Sequence, residues 1–118
     1  MANDGTLVKK LDILGTKYNI SISTAEKDSR LRDADGICDK YSKEIVLADL
    51  TRERNEPNAC KKFDEYINKV WRHEIIHAYF FESGLDVESP YAPNEELIDW
   101  LAIQLPKIVN TCKIVGAI

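Results

Sequence analysis

The amino-acid sequence predicts an α+β fold: a small antiparallel or mixed sheet, then two long helices. Apolar residues alternate with polar ones at a period of two through the first hairpin, and short apolar runs bounded by turn residues continue to about position 49. From about position 60 they recur at three- and four-residue spacing. Strands followed by helices, rather than interleaved with them, is the α+β order.

The elements follow in turn. Leu11 and Ile13, then Tyr18, Ile20 and Ile22, alternate with polar neighbours. This predicts a hairpin over residues 7–14 and 17–23, turning at Gly15-Thr16. Residues 24–34 are too polar for a core helix and read as a short helix or loop. A second hairpin is predicted across 36–49, where Gly36-Ile37-Cys38 leads in, Lys40 to Lys43 turn, and Glu44-Ile45-Val46-Leu47 returns. The polar run from Thr51 to Ala59, with Pro57, is a linking loop. A helix over about 60–82 carries Phe63, Ile67, Val70, Trp71, Ile75, Ile76, Tyr79 and Phe80 on its apolar side and closes at Gly84. A short loop, Asp86 to Pro93, leads to a second helix over about 94–105, capped by Asn94 and ended or kinked by Pro106. A last helical piece runs to about Val115. Residues 1–118 thus read as one domain, strand-rich over 1–50 and helical over 58–118, with no internal repeat.

A chain of 118 residues, 44% hydrophobic and 31% charged, can bury a core without staples and has the composition of a soluble globular protein. No stretch approaches the roughly 20 apolar residues of a membrane span. The opening MANDGTLVKKLD has no apolar secretion segment, and Cys38, Cys60 and Cys112 are odd in number and widely spaced. Both point to reduced thiols in a cytoplasm. A net charge of −4, with the basic residues dispersed, argues against nucleic acid as a partner.

The chemistry concentrates at His73-Glu74-Ile75-Ile76-His77, which contains the only two histidines of the chain. Residues four apart share a helix face, so both imidazoles can reach one metal ion. Glu74 lies on the flank of that face, where its carboxylate can reach a water on the metal without ligating it. Zinc lowers the pKa of such a water towards about 7, and a carboxylate beside it can take the proton. A helix that merely happens to carry two histidines would leave two costly imidazoles on a buried face. The cofactor expected is therefore Zn2+.

Catalytic zinc usually takes three protein ligands. The longer pattern with a Gly and a third His fails, because Phe80 and Ser83 stand at those positions. The third ligand must be a carboxylate or a thiolate. None of the cysteines shares a face with the histidines, and buried free Cys is their expected role. Asn94-Glu95-Glu96-Leu97-Ile98-Asp99 opens the next helix, and Glu95 and Asp99 share a face four apart. One can bind the metal while the other orients a ligand imidazole. An ordinary acidic first turn would also place glutamates there.

HEIIH followed by Asn94-Glu95-x-x-x-Asp99 resembles the gluzincin arrangement of thermolysin. NEELIDWLAIQLP is similar to the second motif of the ImmA/IrrE-type peptidases. The chain also resembles short prophage zinc-peptidase-like proteins and the single-domain minigluzincins. The resemblance implies a zincin-like fold, Glu95 as third zinc ligand, Asp99 behind His73 and Glu74 as general base. Glu95 and Glu96 differ by about 100° around the helix, and only the Glu95 register gives Asp99 that role. The function implied is a zinc metalloendopeptidase acting on peptide bonds of an intracellular protein or peptide. The alternative is a zinc-containing binding or regulatory protein of prophage type without efficient proteolysis. No additional histidine is available for the oxyanion. Tyr91, in the loop between the helices, is a better placed donor or else a plain surface tyrosine, and Tyr79 is expected to pack in the core. By resemblance, the strand near Glu44 to Leu47 runs along the cleft and pairs with substrate. The apolar tail Lys113 to Ile118 either lies near the cleft, as in minigluzincins, or packs Val115 and Ile118 on the core.

Overall fold

The first hairpin closes on a two-residue turn. The computed structural model describes residues 6–50, 63–88 and 94–118. In it β1 (Thr6–Ile13) runs antiparallel to β2 (Thr16–Ser23), with Ile13 opposite Thr16. The turn is Leu14-Gly15, one residue earlier than the alternation suggests. Both residues are left-handed, at φ 51° and 93°, the pair that matches the twist of the flanking strands. Asp12 Oδ1 accepts the Gly15 N–H at 2.8 Å.

β3 (Gly36–Asp39) and β4 (Glu44–Ala48) form the second hairpin where expected. Asp39 Oδ1 accepts the backbone N–H groups of Tyr41 and Ser42 across its turn. β4 also pairs with β2, in parallel, with Ile20 opposite Ile45. The sheet is therefore mixed, in the order β1-β2-β4-β3. A parallel pair needs a crossover, and residues 24–35 supply it with a 3-10 turn at Ser29–Leu31. The polarity of that segment is used internally. Asp28 is buried against Arg30, whose guanidinium reaches Asp28 at 2.6 Å, Asp39 at 3.0 Å and Glu44 at 2.6 Å. One cation ties the crossover to both strands of the second hairpin.

This order corrects the expectation for the strand along the cleft. Glu44 to Leu47 lie in β4, which has a neighbour on each side, whereas β3 is the edge of the sheet among the described residues.

α1 (Phe63–Glu82) ends at Gly84, at φ 79°, as its sequence implies. Val70 and Ala78 of α1 join Ile13, Tyr18, Ile20, Ile45 and Leu47 in the core. Glu82 fastens the end of α1 to the sheet, accepting from the Tyr18 hydroxyl at 2.6 Å and from Lys43 Nζ at 2.8 Å. A short helix α2 (Leu85–Glu88) stands where a loop was expected.

α3 (Glu95–Ile114) is capped by Asn94, whose Oδ1 accepts the Leu97 N–H at 2.9 Å. Ile98 and Ala102 are its buried residues, and it packs on α1. Pro106 does not end this helix. It sits inside it, and Arg72 of α1 supplies a donor to the carbonyl that the proline leaves without one. The helix closes in a Schellman motif instead, with Ala117 N–H bonded to Cys112 O, Gly116 N–H to Lys113 O, and Gly116 at φ 76°. Ile114, Val115 and Ile118 are 76%, 72% and 71% exposed, so the tail does not pack on the core. Among the described residues no helix is long and apolar enough to cross a membrane.

Candidate metal centre

Val70, Glu74 and Ala78, four residues apart, are the buried residues of α1. The helix therefore carries a carboxylate in a row that otherwise holds core side chains. β3 lies directly over it. Gly36 makes this approach possible, because a Cβ there would stand 3.0 Å from Val70 Cγ1 and 3.1 and 3.2 Å from Glu74 Cγ and Oε2. Only 6% of Glu74 is exposed. Burial, and then the charge of Glu95, push its carboxyl up to about 7.

His73 and His77 are half-buried, their ring centroids 5.0 Å apart and edge-on. α3 brings Glu95 across from them. Its Oε2 lies 2.8 Å from His73 Nε2 and its Oε1 3.0 Å from His77 Nε2. Donors around a tetrahedral zinc stand roughly 3.3 Å apart, given bonds of about 2.0–2.2 Å. The observed spacings are a few tenths shorter, which small side-chain shifts would close. Burial pushes the His77 pKa down against the opposing pull of Glu95, favouring the neutral ring that ligation requires.

His73, Glu74 and His77 each offer a donor atom within 4.8 Å of the others and form a group that could hold a metal ion. Two carboxylates therefore compete as third ligand. Glu74 is buried in a setting that favours its protonated form, whereas Glu95 presents one oxygen to each Nε2. The donor chemistry favours Glu95. Glu96, the next residue along, is exposed.

Asp99 Oδ1 stands 3.4 Å from His73 Nδ1, the side of the ring away from Glu95. It is also 3.0 Å from Lys69 Nζ, and this lysine, more than His73, holds the Asp99 carboxyl below its usual range. Lys69 lies one turn before His73 on α1, and the packing of α3 against α1 brings it to Asp99.

These groups line a cleft of about 490 Å³ between α1, α3 and β3. Phe81 stacks on His77 at 5.8 Å and 25°. The Tyr66 hydroxyl donates to Asp35 at the cleft wall. Cys38, a free and half-buried cysteine of β3, also lines the cleft. Burial and the Glu74 charge push its thiol up to about 12, so it remains protonated. Its placement follows from the docking of β3 onto α1, which no local spacing reveals. Tyr79 is 44% exposed and not a core residue. Tyr91 and Cys60 lie outside the described residues. No described residue beyond Asp99 lines the cleft, so the C-terminal tail does not cover it.

No family profile, curated protein or solved structure matches the chain.

Proposed function

We propose that this chain is a zinc-dependent metallopeptidase, hydrolysing a peptide bond of an intracellular protein or peptide. The observation that carries the reading is the convergence of both Nε2 atoms on the Glu95 carboxylate, with Glu74 buried in the same cleft. A zincin-like fold and a gluzincin-like ligand set belong to the same proposal.

His73, His77 and Glu95 would hold the ion. When bound, zinc acidifies a water and polarises the substrate carbonyl. Asp99, facing His73 Nδ1, favours the tautomer with its proton there and leaves the Nε2 lone pair free for ligation. Glu74 accepts the proton of the attacking water and returns it to the departing amine. In the metal-free site burial raises its carboxyl to about 7, and the charge of a bound ion would lower it and keep the carboxylate in its basic form. β3 offers the substrate an edge, because Gly36, Ile37 and Cys38 line the cleft and the strand pairs with β4 on one side.

The second reading, a zinc-containing binding or regulatory protein, draws on the absence of a third histidine for the oxyanion. Glu74 opposes it, since a structural zinc site has no use for a buried carboxyl held out of the ligand set.

Elemental analysis and a mixed peptide library separate the two. The protein is expected to carry about one zinc per chain, and His73→Ala and His77→Ala to be nearly metal-free. Glu74→Gln should keep the metal and lose cleavage, because an amide cannot accept the proton. Full zinc in either histidine variant sinks the metal assignment. A wild type that holds zinc and cleaves nothing decides for the binding reading.

A further inference from the structure

We propose that Arg72 is a positioning residue for this metal centre, holding α3 in the register that turns Glu95 and Asp99 towards the histidines. The inference rests on the functional reading above. Pro106 lies inside α3 and has no backbone N–H, so the carbonyl of Ala102, four residues earlier, loses its helical partner. Ala102 is fully buried where α3 packs on α1, and a buried carbonyl without a donor is costly. Arg72 reaches across from α1 and its Nε donates to that oxygen at 2.6 Å.

Placement gives the bond its consequence. Arg72 immediately precedes His73, and Ala102 lies on the same side of α3 as Glu95 and Asp99, at spacings of seven and three. In an unbroken helix every interior carbonyl is already bonded within the helix, so a donor from α1 would find no unique target. Pro106 is the sole proline of α3 and creates one free carbonyl mid-helix. A slip of one residue would rotate Glu95 by about 100° away from both imidazoles. The Glu95 contacts cannot prevent this alone, because that side chain is 67% exposed. The Arg72–Ala102 bond fixes the register from inside the helix interface.

Three substitutions in the full-length chain test this, read by zinc competition against a chelator. Arg72→Gln places an N–H donor the same number of bonds from Cα as Nε, whereas Arg72→Met keeps the length and removes the donor. Pro106→Ala restores the helical donor to Ala102 and removes the target. Because alanine favours helix more than proline does, a loss of affinity there cannot come from a weakened α3. Arg72→Met and Pro106→Ala should each weaken zinc by about tenfold or more, as outer-shell changes do, and Arg72→Gln by less than about threefold. The Arg72→Met/Pro106→Ala double variant should be no weaker than either single one, since both remove the same bond. Wild-type affinity in Arg72→Met, an Arg72→Gln as weak as Arg72→Met, or additive losses in the double variant would each overturn the proposal. A wild type that takes up no zinc overturns the functional reading instead. The lock is then judged in the metal-free protein, where additivity of the same two substitutions in chemical unfolding overturns it.

Discussion

A carboxylate in a core row costs stability wherever it is ionised, and Glu74 lets that cost be measured. Its folded-state pKa is raised from 4.5 to about 7, so folding favours the protonated form. For a raised acid the penalty is absent below the unfolded value of 4.5, grows as pH rises to about 7, and is complete above it. Metal-free Glu74→Gln should therefore be more stable than wild type at pH 8, by at most about 3 kcal/mol, and no more stable below pH 4.5. Denaturant titrations of the two apo-proteins at pH 4 and pH 8 check this, and a pH-independent difference would contradict it. The facing of His73 with His77, and of Glu95 with Asp99, was legible because each pair sits at a one-turn spacing that the chain displays locally. Glu95→Gln should weaken zinc strongly, Asp99→Ala by about 10–100-fold, and Glu96→Gln hardly at all, in zinc competition titrations. Loss of zinc in Glu96→Gln alone would put the helix in another register. Cys38 and the hold of Lys69 on Asp99 were not legible, since the first depends on how a strand docks and the second on how two helices meet.

At the scale of elements, the hairpins were legible because period-two alternation and turn residues are local. The parallel pairing of β2 with β4 was not, because alternation shows which face a residue takes but not which strand lies beside it. The consequence reaches the site, since it makes β3 the edge among the described strands and sets Gly36 against Glu74. The sequence marks Gly36 only as the start of a strand, whereas its role is space. Gly36→Ala should leave the zinc content unchanged, since no ligand is among the atoms its Cβ would meet. It should slow turnover by about tenfold or more through the displaced base and cost roughly 1–3 kcal/mol through overpacking against Val70. Zinc analysis beside steady-state rates tests this, and unchanged turnover would mean that β3 gives way without moving Glu74. At Pro106, read as an end or a kink, the end is not seen, and helix continues to Ile114. The proline's usual meaning as a helix stop is local, and a side chain from another helix overrides it.

For the whole molecule, the site belongs to the end of α3 that packs on α1. The working part is the stretch from Glu95 to Ala102, where Ile98 and Ala102 are buried and the carboxylates face the imidazoles. Beyond Pro106 the helix projects from the sheet-and-helix body, with Ile108 42% exposed and Ile114 to Ile118 more so. Neither sequence-based expectation for the tail holds, because apolar composition implies burial without saying against what, and no described part of the fold meets it. Truncation after Thr111 should therefore leave zinc affinity and peptide cleavage at wild-type levels. It removes the Schellman closure, so the last turn should fray, with a loss of global stability within about 0.5 kcal/mol because no core side chain is deleted. Thermal unfolding and cleavage assays on the shortened chain measure both quantities. A rise in activity would mean that the tail reaches the cleft in solution, and a loss of several kcal/mol would mean that it is covered there by an interaction its exposed placement does not display.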